Sequence, residues 1–172
     1  KLSSTNFAEM FQLKWTSVWR SALLGIVIYI IIVGGYFALR ELIDFSNITT
    51  SLNNSVGVNA RNFIFVALYI SIVNSFLEEF FFRGFSYTLL KSRGRAFAYT
   101  ICSIVFALYH VAMMIGWYDW WVFSLAIVAL FGAGIIFHLL NERTGTIYTS
   151  WIVHMCSNLG INTVGLLLFG MI

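Results

Sequence analysis

Proline is absent from all 172 residues, cysteine occurs twice, and only 10% of residues carry charge. Each shortage removes a class of protein. A soluble domain covers its surface with about a quarter of its residues charged, and this chain is instead 60% hydrophobic with a mean hydropathy of +0.86. The two cysteines, Cys102 and Cys156, lie inside apolar stretches without metal-knuckle spacing, which excludes a disulfide framework and a zinc finger and leaves them as small core residues. The net charge of +3 comes from basic residues at the ends of apolar stretches, with no basic stripe interleaved with aromatics, so no nucleic-acid partner is expected. Without proline, no helix carries a proline kink.

What the chain has in quantity is apolar sequence long enough to cross a bilayer, about 20 residues per span. Five spans are expected, over residues 20–40, 62–90, 96–116, 120–141 and 146–170, giving an all-α, polytopic transmembrane helical bundle that makes 1–172 a single integral membrane domain with the lipid bilayer as solvent. No small-residue cleavage site precedes the first span, so a removable signal peptide is not expected. The sequence opens at Lys1 rather than Met, which leaves room for an N-terminal part and further helices ahead of it. The polar interval "DFSNITTSLNNSVGVNARN" reads as an exposed loop between the first two spans. Lys14, Arg20, Lys91, Arg93, Arg95 and Arg143 fall on one side if the spans alternate, while Arg40, Glu41, Asp44, Arg61 and Asp119 make a mixed set on the other. The positive-inside rule makes the first side, and the N-terminus, cytoplasmic.

Against this background the run "SFLEEFFFRGF" is anomalous, because ionisable side chains inside a span cost a few kcal/mol and need a partner, a wet cavity or a function. Glu79 and Arg83 are four apart on one helix face and can neutralise each other. Glu78 lies about 100° around the helix from Glu79 and about 140° from Arg83, so it is left without that partner. The phenylalanines of the run, Phe80, Phe81, Phe82 and Phe85, read as lipid-facing and packing surface. "FALYH" brings His110 to the third span, and "HMCSN" brings His154 and Asn158, four apart, to one face of the fifth. Counted from the basic end of each span, Glu78, His110, His154 and Asn158 all lie about 16 to 23 Å deep at 1.5 Å per residue. One intramembrane His or Asn is often only a helix–helix hydrogen bond worth about 1 kcal/mol, but four polar groups at one level point to a site. His138, near a span end, reads as an interfacial or packing residue.

A buried glutamate and a histidine can together take a proton from water, and the resulting hydroxide can attack a peptide carbonyl. Glu78 with His110 would be that pair, and His154 with Asn158 would supply the fixed donors an oxyanion needs. Two histidines and a carboxylate are also a catalytic zinc set, although no HExxH helix is present, so metal stays open as the alternative. A serine mechanism is weaker, since Ser75, Ser103 and Ser157 have no clear base and acid around them.

These residues resemble a known pattern. "EEFFFRG" (Glu78, Glu79, Arg83) is similar to the EExxxR motif of the CAAX protease and bacteriocin-processing family (CPBP or Abi). "FALYH" is similar to its FxxxH motif through Phe106 and His110, and "HMCSN" to its HxxxN motif through His154 and Asn158. The resemblance covers residues 70–160. In its Ras-converting CAAX endopeptidase branch it implies a glutamate-dependent intramembrane protease needing no cofactor. There Glu78 and His110 would activate water, His154 and Asn158 would stabilise the oxyanion, and Glu79, Arg83 and Phe106 would shape the site. The implied substrate is a membrane-associated peptide or protein: a prenylated tail, a bacteriocin or pheromone precursor, or a signalling protein. A bacterial plasma membrane is the expected location, where a prenylated substrate is not expected. The competing reading is a non-catalytic scaffold that binds a membrane or cell-wall protein partner.

Overall fold

The computed structural model describes residues 9–172. Among them are five helices long and apolar enough to cross a membrane, α1 (Trp15–Leu39), α3 (Phe63–Arg93), α4 (Arg95–Met114), α5 (Trp120–Thr144) and α6 (Tyr148–Leu168). Their bounds fall within a few residues of the spans predicted from hydropathy. No strand occurs among the described residues.

The sixth helix, α2 (Ser46–Val56), corrects the expectation of a loop. Its composition is polar, but it seats Ile48 in the core and lays Leu52 against Val58 and Phe63, so one apolar edge suffices to hold it as a cap over the bundle. Asp44 accepts from the Ser46 N–H at its start, and Gly57, at φ 69°, closes its end in the left-handed conformation.

Helices α3, α4, α5 and α6 form a ring, each packed on the next, and α1 lies outside it along α6. The ring's core is one side chain from each helix: Phe82, Phe106, Phe137 and Val153. Tight approach depends on small residues. A Cβ at Gly134 of α5 would stand 2.8 Å from the Ser103 Cβ of α4, and one at Gly25 of α1 would stand 2.6 Å from the Cys156 Sγ of α6. Cys102 is fully buried and Cys156 half-buried, as small packing residues. Large apolar side chains such as Ile30, Ile31, Phe65, Leu108 and Val128 face outward, where the bilayer would receive them.

The basic ends of the spans do lie together. Lys14 Nζ donates to the Thr144 carbonyl at 2.6 Å, and Arg95 pairs with Glu142 at 2.9 Å. At the other end Phe45 packs edge-on against Tyr118.

Helix α3 is continuous but not uniform. Over Tyr69–Asn74 and Phe80–Ser86 it widens into π-helical turns, the first ending with the Ser75 N–H on the Ile70 carbonyl. A carbonyl can accept twice, and water is scarce inside a membrane protein. Side chains of α6 add donors to carbonyls in and beside the first widened turn: Trp151 Nε1 donates to Ile72 O (3.1 Å), Asn158 Nδ2 to Ile70 O (3.3 Å) and Asn162 Nδ2 to Ala67 O (3.2 Å). This stitching fixes the height of α6 against α3.

Candidate active site

The short α-helical segment Ser75–Glu79 between the two widened turns carries both glutamates. Glu79 is fully buried. Its Oε1 accepts from Arg83 Nη1 at 3.0 Å and from His154 Nδ1 at 2.9 Å, so one oxygen ties α3 to α6. Arg83 is equally buried and lies over the Phe106 ring at 4.2 Å and the Phe137 ring at 5.0 Å. The intrahelical pair read from the spacing is therefore present, and an aromatic collar helps hold its cation. His154 stacks on Phe137 with centroids 5.3 Å apart.

Glu78 points to a different neighbourhood. Its Oε1 accepts from Asn74 Nδ2, one turn back on the same helix, and its Oε2 has no hydrogen-bond partner among the described residues. That oxygen stands 3.5 Å from His110 Nε2 and 3.7 Å from His154 Nε2. The tautomers follow from what each ring does on its far side. His110 Nδ1 lies 2.8 Å from the Phe106 carbonyl, which can only accept, so Nδ1 carries the proton. His154 Nδ1 faces the carboxylate of Glu79 and carries its proton likewise. In the neutral rings both Nε2 atoms therefore present lone pairs toward Glu78 Oε2. Three acceptors meet at one point, which requires a shared proton, a water donating between them or a cation.

Of the four residues predicted to do chemistry, the structure brings Glu78, His110 and His154 together. Asn158 lies one turn further along α6, with one N–H given to the Ile70 carbonyl. Phe106 supports the cluster from below, its ring 4.5 Å from His110 and 5.7 Å from His154. His138, expected to be an interfacial or packing residue, is buried and stacks on Tyr99 at 4.8 Å. The phenylalanine run divides: Phe82 is core, while Phe81 and Phe85 face outward. The residue that sequence reasoning missed is Asn74. Its signal was available in the i, i+4 spacing that places an amide on the same face as Glu78.

Residues 60–160 match a model of the family described as type II CAAX prenyl endopeptidase, Rce1-like. The chain belongs to this Rce1-like family. The match spans α3, α4, α5 and the first half of α6, hence every site residue from Asn74 to Asn158, and it leaves α1 and α2 outside. Comparison with curated proteins and with solved structures returned no match. An Rce1-like chain with five membrane-length apolar helices is an integral membrane protein of a hydrolase family. That membership does not favour the scaffold reading.

Proposed function

We propose that the protein is an intramembrane endopeptidase that hydrolyses a peptide bond of a membrane-associated peptide or protein, using water activated by Glu78 and His110. The observation that carries this reading is the meeting of Glu78 Oε2 with the Nε2 atoms of His110 and His154 at 3.5 and 3.7 Å, both rings held from behind. A water placed between Glu78 and His110 gives up a proton to that pair as its oxygen bonds to the carbonyl carbon. The carbonyl oxygen becomes an oxyanion that needs donors. We assign the donors to the second N–H of Asn158 and to His154 Nε2, which donates when it carries the proton shared within the cluster. Collapse breaks the C–N bond and returns the proton from the Glu78–His110 pair to the leaving amine. Glu79, Arg83 and Phe106 hold the rings in place and do not exchange protons with substrate.

The site lies within the bundle, so a substrate bond must reach membrane depth, which favours peptides attached to or crossing the bilayer. A bacterial plasma membrane with the basic end cytoplasmic is the setting in which we place the protein. A second reading has its own support: Glu78, His110 and His154 offer one ligand atom each within 4.8 Å of one another, and a carboxylate with two imidazoles can hold zinc. In that case the ion would polarise a bound water, with Glu79 and the Phe106 carbonyl orienting the two histidines.

The test compares peptide termini in membranes of cells carrying wild type and Glu78→Ala at matched expression. Termini found with wild type and missing from the mutant support proteolysis and identify a substrate. Identical termini, with Glu78→Ala rescuing a deletion, would sink the reading and return the scaffold.

A further inference from the structure

Below the catalytic cluster, toward the basic end of the bundle, a cavity of about 220 Å³ is lined by residues that include Arg83, Lys91, His138 and Asn141. Arg83 is the buried member of this lining that also contacts the catalytic cluster's Glu79. The guanidinium gives Nη1 to Glu79, while Nε and Nη2, which share the opposite edge, are buried without a partner among the described residues. That edge is the one with which arginine grips a carboxylate or phosphate side-on. Asn141 adds a donor whose orientation is fixed: its Oδ1 accepts from the Ser150 backbone N–H at 3.1 Å, so its amide nitrogen is the atom left over, and that nitrogen is also unpartnered. His138 Nε2 is a fourth buried polar atom without a partner. Orphaned buried donors cost about 1 to 3 kcal/mol each, and more when charged, so donors gathered around one cavity indicate something that accepts from them.

The charges around the cavity are evenly matched, so it is the unpartnered donors that favour an anion. Glu142, on the cavity wall, is already engaged by Arg95 at 2.9 Å and by the Tyr99 hydroxyl at 2.6 Å. Lys91 lines the cavity as a further cation, and Glu9, the other acid of the lining, is an exposed residue of the segment before α1. That segment is anchored across the cavity's edge, the Met10 carbonyl accepting from Ile147 N and Thr146 Oγ1 at 3.1 Å each. The volume is below the roughly 300 Å³ at which pockets begin to take drug-sized ligands, which suits a single anionic group.

We propose that this cavity is an oxyanion-binding site, in which the Nε and Nη2 edge of Arg83 takes a carboxylate or phosphate group bidentately and Asn141 donates a third hydrogen bond. Such an anion holds Arg83 from the side opposite Glu79, and through Glu79 it fixes His154. The site is thus a regulatory neighbour of the catalytic cluster, and its occupancy does not depend on the chemistry proposed for Glu78.

Thermal unfolding tests it independently of any substrate. Purified protein in an uncharged detergent is titrated with phosphate or acetate against chloride at matched ionic strength, and in parallel is placed in phosphatidylcholine nanodiscs with and without phosphatidic acid. The expected result is a saturable rise of several degrees in the unfolding midpoint that chloride does not give. A rise with the soluble anions identifies a free anion as the source, and a rise confined to phosphatidic acid identifies a lipid headgroup. Asn141→Leu should lose the response. If Asn141→Leu does not fold, Asn141→Asp, which keeps the acceptor for Ser150 and sets a negative charge toward the cavity, should lose it as well. No midpoint shift with phosphate, acetate or phosphatidic acid, or a full response in the Asn141 variant, would overturn the proposal while leaving the proteolysis reading as it stands.

Discussion

Replacing Glu79 by Gln should damage the fold far more than replacing Glu78 by Gln, although the two residues are adjacent and both buried. Glu79 is the counter-charge of Arg83 at 3.0 Å, with both side chains fully removed from solvent. Removing one partner of such a pair strands the other charge, which costs about 3 to 5 kcal/mol. The carboxamide also offers His154 Nδ1 a weaker acceptor than a carboxylate. For a chain of this size each kcal/mol lowers the midpoint by about 2 to 4 °C, so Glu79→Gln should fall by about 6 to 20 °C. Glu78 has no cation bound to it, and a Gln there can keep the Asn74 bond through its oxygen and donate from its nitrogen to a histidine Nε2. Its midpoint should stay within about 1 °C of wild type or rise, since surplus acceptors are being removed. The assay is thermal unfolding of detergent-purified protein, followed by intrinsic fluorescence and by the monodisperse fraction after heating. Arg83→Met on the Glu79→Gln background should recover part of the loss, because the stranded charge is then gone. Equal midpoints for the two single variants, or no recovery in the double variant, would refute the assignment of Glu79 as the structural carboxylate.

Three further outcomes follow from the geometry. Asn74→Ala removes the hydrogen bond that aims Glu78, and because Asn74 meets Glu78 and not substrate it should lower kcat by about tenfold or more with KM little changed, measured on the substrate that the terminus comparison identifies. Gly134→Val places a Cβ where Ser103 already stands at 2.8 Å and should cost about 1 to 3 kcal/mol by forcing α4 from α5, read as a lower unfolding midpoint. Under the water-only mechanism, elemental analysis of active protein should find no stoichiometric zinc and chelators should leave cleavage intact; one zinc per chain, with activity lost on its removal and restored on its return, would favour the metal reading.

The five spans were legible because long apolar runs have one solution in a bilayer, and the Glu79–Arg83 pair because i, i+4 spacing on a helix fixes the contact. The levels of Glu78, His110 and His154 could be counted, because helices rise uniformly and the basic ends share a plane. Counting levels says nothing about rotation, however. It placed His154 beside Asn158 on one face, and did not foresee that His154 Nδ1 meets Glu79 or that one Asn158 N–H goes to the Ile70 carbonyl. That carbonyl lies where α3 widens at Tyr69–Asn74, and no residue in "YISIVN" marks a π-helical turn. Helix α2 was missed for a similar reason: eleven mostly polar residues have weak intrinsic helicity, and the packing of Ile48 and Leu52 that stabilises them is tertiary.

Two adjacent glutamates differ in what surrounds them, although each has an unpartnered Oε2. Beside Glu78 the unpartnered oxygen is Oε2, with the lone pairs of two Nε2 atoms near it. On the cavity side the unpartnered atoms include the donor edge of Arg83 and the Asn141 amide. Glu79 lies between the two sets and gives a hydrogen-bond acceptor to each, to Arg83 below and to His154 above. The carboxylate of Glu79 therefore has a second consequence beyond neutralising Arg83: it occupies the guanidinium's Nη1, while Glu78 Oε2 faces the two imidazoles.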